Sequence, residues 1–178
     1  MNFKARIMEE SDIDRVLLRI AHQICEKNNG IENLCLIGIR TRGVPLAKRL
    51  AENIEKIEGK APEVGALDIS QHRDDRDKSH LTPVVSSTDV PFSVEGKVVV
   101  LIDDVIYTCR TARAALDAVM ALGRPSRIQL SVLIDRGHAE LPIRPNFVGK
   151  NIPTSKEESI VVRLREEDGE DSVSIYSK

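Results

Sequence analysis

Residues 98–111, VVVLIDDVIYTCRT, constrain the fold more tightly than any other segment of the 178-residue chain. Five consecutive apolar residues, Val98 to Ile102, are followed directly by Asp103 and Asp104. An apolar run of this length without polar alternation is a strand covered on both faces, the kind found in parallel sheets. The helical pattern TARAALDAVMAL, about Thr111 to Leu122, comes next and is stopped by Gly123 and Pro125. The segment thus predicts a buried strand, an acidic pair at its carboxyl end, and a short turn into a helix N-terminus.

The flanking sequence repeats the alternation. Asn33 to Ile39 reads as an apolar strand ending in Arg40-Thr41-Arg42-Gly43, and a helix from Val44 to about Ile57 follows it. Val64 to Ile69 is a further strand, and Ile128 to Ile134 is a buried strand ending in Asp135-Arg136-Gly137-His138. Ahead of these, about Ser11 to Asn28 (residues 10–29 at its widest) carries apolar residues at helical spacing, with Ser11 as the expected cap. Its other face bears Arg15, Arg19, His22 and Glu26, which reads first as a solvated polar face. Residues 70–96 lack a period and are dense in charge, a long loop of the functional or surface-insertion kind. Residues 157–178 predict a C-terminal hairpin, Ser159–Arg165 and Ser172–Tyr176 around Asp168-Gly169. Strands alternating with helices give the α/β class: a doubly wound, mainly parallel sheet in a single domain over 1–178.

Composition excludes several functions. Three cysteines without a C-x-x-C pair argue against a disulfide framework and a structural zinc site. The chain has no Trp and is 3% aromatic, which disfavours a stacking platform for single-stranded nucleic acid. No apolar run approaches the ~20 residues a bilayer span needs and no leader-type segment is present, so a cytoplasmic protein without a membrane partner is expected. The formal charge of −2 divides unevenly: residues 157–178 carry a net −4 and the remainder a net +2. Neither G-x-G-x-x-G nor G-x-x-x-x-G-K-[ST] occurs, so a dinucleotide fold or P-loop kinase would lack its phosphate loop.

Ligands of open α/β sheets bind beyond the carboxyl ends of the strands. Carboxylates there are costly unless they meet a cation, hydroxyls or donors. The turn Tyr107-Thr108-Cys109-Arg110-Thr111 offers backbone N–H groups, two hydroxyls and a helix dipole, which suit a phosphate. Together these features point to a ligand with both hydroxyls and phosphate, such as a sugar phosphate. The acidic pair alone fits a metal-only site or a capping role equally well.

The run VVLIDDVIYTCRT, residues 99–111, resembles the signature of type I phosphoribosyltransferases, which use phosphoribosyl pyrophosphate (PRPP). GIRTRGVPLAKRLAE (38–52), IDRGHAELPIR (134–144) and VGKNIPTS (148–155) resemble the pyrimidine operon attenuation regulators, the PyrR family, which are also uracil phosphoribosyltransferases. The resemblance extends over nearly the whole chain. It implies that Asp103 and Asp104 hold the ribose hydroxyls, with Mg²⁺ shared between them and the pyrophosphate as cofactor. It implies a PRPP site of Arg40, Thr41, Arg42, Asp103, Asp104, Tyr107, Thr108, Cys109, Arg110 and Thr111, with Arg40 to Arg42 forming the pyrophosphate loop. Asp135 and Arg136 would line the uracil pocket, with Asp103, Asp104 and Arg136 as catalytic residues. The loop around 70–90, in which His72 replaces the usual Tyr, would close over the site.

The resemblance further implies regulation of a pyrimidine biosynthetic operon through transcription termination. Leader mRNA of the pyr operon would bind when UMP or UTP occupies the site. Arg19, His22, His138, Arg144 and Lys150 would form the RNA-binding surface, with Lys156 a further candidate from charge. A phosphoribosyltransferase without an RNA role is the alternative. The family also suggests a homodimer or homohexamer that buries Tyr176, Phe147 or part of the first helix. Cys109 stands where the family usually has Gly, so it strains the turn if φ is positive there. At a helix N-terminus its thiol is expected to have a depressed pKa and to be shielded from alkylation by bound donor.

Overall fold

In the computed structural model, residues 1–70 and 88–177 are described. The elements run β1 (Asn2–Glu9), α1 (Glu10–Asn28), β2 (Leu34–Ile39), α2 (Gly43–Glu58), β3 (Glu63–Leu67), β4 (Val98–Ile106), α3 (Arg110–Leu122), β5 (Arg127–Asp135), β6 (Phe147–Asn151), β7 (Glu158–Arg163), α4 (Arg165–Asp168) and β8 (Ser172–Ser177). Five strands form a parallel sheet in the order β3-β2-β4-β5-β6, with the strand that carries the acidic pair at its centre.

Period-two alternation explains how both faces are covered. Leu34, Leu36, Val100 and Ile102 pack with Ile13, Leu17, Leu46 and Leu50 of α1 and α2. Their neighbours Cys35, Ile37, Val99 and Leu101 pack with Ala114, Ala115 and Val119 of α3 on the opposite face. The small residues of α3 let that helix lie close to the sheet. The expected α/β class and the core strands are therefore present, with β4 and β5 running further than expected to include Ile106 and Asp135.

Four local features differ from the sequence expectation. Residues 2–9 form a strand ahead of the first element read in the sequence. The cap of α1 is Glu9, in a capping box with Asp12, not Ser11. Phe147–Asn151 is a short edge strand of the parallel sheet. The C-terminal hairpin is present, but its connection contains the one-turn helix α4 before Gly169. Strand β8 lies between β1 and β7 in a separate antiparallel sheet, so its hairpin partner is joined by the N-terminal strand. Val162, Leu164 and Val173 bury this small sheet into the core that α1 and α2 share.

Candidate active site and basic face

The carboxyl ends of β2, β4 and β5 place three sequence motifs on one edge of the sheet. After β2 the chain turns sharply through Arg40-Thr41-Arg42, with a cis peptide between Arg40 and Thr41. Gly38 and Gly43 make that turn possible by close approach. A methyl at Gly38 would overlap the Gly43 carbonyl, and one at Gly43 would overlap the Ile102 carbonyl of β4. The turn is thereby pressed against the strand that carries Asp103 and Asp104.

Both aspartates are half-buried at the end of β4. The Asp104 amide donates to Asp103 Oδ1 at 2.9 Å, and the Val105 amide donates to Asp104 Oδ1 at 2.8 Å. Burial raises the Asp104 carboxyl above its ordinary range, against the opposing pull of the Asp103 contact, the Val105 amide and the Arg42 charge. A carboxylate held at such cost is expected where a ligand supplies donors. Asp103 lines a cleft of about 350 Å³ with Tyr107, Thr108, Arg110 and Thr111, floored by Leu130 and Val132.

The turn into α3 has the geometry of an anion cradle. Cys109 occupies the cap position with φ 71° and makes no side-chain cap hydrogen bond; the Arg110 amide reaches only Thr108 Oγ1, at 3.5 Å, and the first turn contains no acidic residue. The amides at this end therefore face the cleft with the positive end of the helix dipole. The left-handed backbone is the conformation in which Cys replaces Gly at a strain of about 1 kcal/mol. The expected thiol reactivity is overturned. Cys109 is 3% exposed, and its Sγ donates to the Ile143 carbonyl at 3.4 Å. Burial and the neighbouring Asp135 carboxylate push its pKa up rather than down.

A second cleft of about 360 Å³ adjoins the first and shares Tyr107 with it. Asp135, Gly137, His138, Ile143 and Arg144 line it. Asp135 is fixed by the Gly137 amide, which donates to its Oδ1 at 2.9 Å. The Arg136 side chain turns away from this cleft. Its Nε donates to Thr154 Oγ1 at 2.9 Å, and Nη2 donates to the carbonyls of Ser155 and Glu158 at 3.2 and 2.7 Å. Its guanidinium also lies 4.0 Å from the Tyr107 ring centroid. Arg136, expected as a catalytic and base-lining residue, has its fork bonded to the Thr154 hydroxyl and to the Ser155 and Glu158 carbonyls and packs on Tyr107 outside the lining of this cleft. Thr154 and Ser155, which hold that fork, had no signal in the sequence beyond the motif that contains them.

Arg42 is held differently. Its Nε and Nη2 donate to Asp168 of α4 at 3.1 and 2.8 Å. Nearly two turns into α2, the buried Arg49 joins Glu166 at 2.8 and 2.6 Å and Asp171 at 2.9 and 2.7 Å. The acidic C-terminal segment thus packs beside the 40–42 turn.

The residues expected to meet RNA fall into two adjoining groups. Arg19 of α1 donates to the Val148 carbonyl at 3.3 Å and to the Gly149 carbonyl at 2.5 Å, beside the exposed Lys150 of β6. His22 lies exposed one turn further along α1. His138 and Arg144 border the second cleft, where Val148 also contributes, so that strand links the groups. His138 Nε2 is 2.5 Å from the Thr154 carbonyl, and its ring meets Tyr107 edge-on at 5.7 Å. Phe147, expected as an oligomer contact, is 3% exposed within the chain itself and belongs to the core. Tyr176 pairs edge-on with the exposed Phe3. The closing loop around 70–90, with His72, lies for the most part outside the described residues.

Among the described residues no three His, Cys, Asp or Glu side chains gather as a metal cage. Two adjacent carboxylates without a cage nevertheless fit Mg²⁺, which keeps waters and takes its remaining oxygens from a phosphorylated ligand. Asp103 and Asp104 are the groups that would hold it, jointly with that ligand. No helix among the described residues is long and apolar enough to cross a membrane.

Comparison with known proteins agrees with this geometry. The phosphoribosyl transferase domain family matches residues 8–167. "Bifunctional protein PyrR" of Pelotomaculum thermopropionicum is 62% identical over 172 residues, covering 97% of this chain and 95% of that protein. The protein of the same name from Clostridioides difficile is 56% identical, with 97% of each chain covered. Among solved structures, a hypoxanthine phosphoribosyltransferase from Staphylococcus aureus superposes with a TM-score of 0.75 at 19% identity, over 99% of this chain and 94% of that one. One from Trypanosoma cruzi gives 0.74 at 17% identity, over 98% and 97%. At that identity the structural likeness speaks for the fold and not for a purine substrate. A central parallel strand that ends in paired aspartates and an uncapped helix, in a chain this similar to PyrR proteins, leaves one assignment: the chain belongs to the PyrR family of phosphoribosyltransferases.

Proposed function

We propose that this chain is a uracil phosphoribosyltransferase that also regulates transcription by binding pyrimidine operon leader RNA when UMP or UTP is bound. The single observation that carries the enzyme reading is the β4–α3 junction. There, the half-buried Asp103 and the N-terminus of α3 open on one cleft, with Asp104 next to Asp103 in β4. The family membership carries the regulatory reading.

In the reaction, Asp103 and Asp104 accept hydrogen bonds from the ribose hydroxyls of PRPP, which relieves the cost of their burial. The Thr108–Thr111 amides hold the 5′-phosphate at the start of α3. Arg40 and Arg42 stabilise charge on the departing pyrophosphate. Mg²⁺, when bound, neutralises part of that charge. The uracil ring nitrogen attacks the anomeric carbon as the bond from that carbon to the pyrophosphate oxygen breaks; pyrophosphate leaves intact and the nitrogen proton passes to solvent. The second cleft, with Asp135 and Tyr107 on its walls, is the site for the base. No enzyme nucleophile is required, and the buried Cys109 offers none.

The regulatory reading places leader RNA on the face of Arg19, His22, Lys150, His138 and Arg144. Gel shifts with leader RNA over a salt series, with and without UMP, test it. Binding is expected to weaken steeply as salt rises, and UMP is expected to tighten it by linkage. Absence of binding at low salt would leave a phosphoribosyltransferase alone. Uracil-dependent pyrophosphate release, absent with hypoxanthine or orotate, tests the enzyme. We assign the working oligomer to a dimer or hexamer, which sedimentation checks directly.

A further inference from the structure

The acidic C-terminal segment reaches the pyrophosphate loop through one side chain. Asp168 Oδ2 and Oδ1 accept from Nε and Nη2 of Arg42 at 3.1 and 2.8 Å, a side-on bidentate pair. Asp168 does not hang free at a loop tip. Its Oδ2 also accepts from the Leu164 amide at 2.9 Å, and its own amide donates to the Leu164 carbonyl at 2.7 Å. The helical turn that carries it is anchored on either side of it. Glu166 and Asp171 both grip Arg49 of α2, whose side chain is 8% exposed, and the Asp171 side chain is 1% exposed.

We infer that Asp168 is a positioning residue for Arg42, fixing the guanidinium by one edge so that its other edge meets the pyrophosphate of the donor. The inference rests on the donor-site reading above. A guanidinium presents five N–H groups in a rigid fork. Asp168 engages the Nε edge, so a second oxyanion is met by the Nη1 side of the same plane. An arginine on a free stem would lose its rotamer entropy on binding each oxyanion. Arg42 meets its ligand already ordered, because its partner is tied to a buried ion pair and not to another mobile side chain. The backbone on the other side is equally confined by the contact of Gly43 with β4. The enzyme's anion-binding loop is therefore completed by carboxylates. This explains why a net −4 segment sits beside a site for a polyanion.

The test is calorimetric titration of the full chain with magnesium pyrophosphate, alongside KM and kcat for donor and uracil. Asp168→Asn keeps an acceptor for the Leu164 amide but removes the charge, and Asp168→Ala removes both. Loosening one oriented contact is expected to weaken pyrophosphate binding and raise the donor KM about tenfold, more for Ala than for Asn. The uracil KM stays within about twofold, whereas kcat falls with the weaker stabilisation of the departing pyrophosphate. In an Arg42→Ala background the Asp168 substitutions are expected to add nothing, whereas a merely structural role would persist there. Wild-type protein that binds pyrophosphate, with Asp168 variants that bind it equally or more tightly, overturns this inference alone. Wild-type protein that binds none overturns the donor-site reading and this inference with it.

Discussion

The β4–α3 junction and the α1–β6 face both present groups suited to phosphates, and they are built in opposite ways. The junction is contiguous: Asp103 through Thr111 supply it, most of its donors are backbone amides, and its carboxylates are half-buried against a rigid strand. The α1–β6 face is assembled from residues far apart in the chain, and its cations are exposed side chains such as His22 and Lys150. Arg19 is steadied by backbone carbonyls of β6 and by the Gln23 side-chain oxygen. A site fixed by backbone can stabilise one small charge distribution, as a transition state requires. A face of exposed long side chains suits a large, variable polyanion whose binding is mostly counterion release.

This difference can be broken by substitution. The largest effect is expected at the junction: Asp103→Asn should lower the rate of UMP formation by about a hundredfold or more, the scale of losing a preorganised partner. RNA affinity in the absence of nucleotide should remain unchanged, and kinetics with parallel gel shifts check both. If Asp103→Asn abolished RNA binding without nucleotide, the two regions would not be separate.

Next in size is a substitution in neither region. Asp171→Asn leaves Arg49 short of a buried partner and is expected to cost about 3 kcal/mol of unfolding free energy. Thermal melts as a function of pH also give its sign. Burial works against the Asp171 carboxylate, but bonds from Arg49 and the Arg165 amide outweigh it and hold the folded pKa below its ordinary value. Arg49 likewise lowers Glu166. A depressed folded pKa contributes stability above the unfolded value, lost as pH falls through the folded one. The wild-type acid limb below about pH 4 should therefore be steeper than that of Asp171→Asn.

On the α1–β6 face, Lys150→Ala is expected to weaken leader RNA about fivefold to tenfold at low salt and to flatten the salt slope by about one. Catalysis should be unaffected. The smallest effect concerns Cys109. With its thiol buried and its pKa raised, iodoacetamide should label it far more slowly than a free thiol, with or without donor. Rapid labelling by mass spectrometry would contradict the buried geometry.

The same contrast explains what could be read in the sequence. The core strands and the junction were legible because their determinants are neighbours: an apolar run, a carboxylate pair, a turn, a helical period. Even the strain at Cys109 followed from the residue type that stood there. Its thiol chemistry did not, because Ile143 and Asp135, which bury and repel it, approach from elsewhere in the chain. Arg136 looked like a site residue because it follows a strand end, yet its partners lie at 154–158. Strand β1 escaped notice because its pairing is with β8, and Asp168 looked like half of a turn. Long-range pairing leaves little trace in local pattern.

The pairing of β1 with β8 has a consequence for how the protein comes into being. Asn2 lies opposite Ser177, and β8 sits between β1 and β7. On the ribosome, β1 is made before the whole parallel sheet and must wait for a partner that follows it. The parallel sheet, with its shorter-range β-α-β connections, can assemble meanwhile. The small sheet and the turn that carries Asp168 then dock last. In a nascent chain the strand of Asp103 and Asp104 would thus be in place before Arg42 meets Asp168, so on the donor-site reading proposed above the 40–42 turn is fixed only after the parallel sheet.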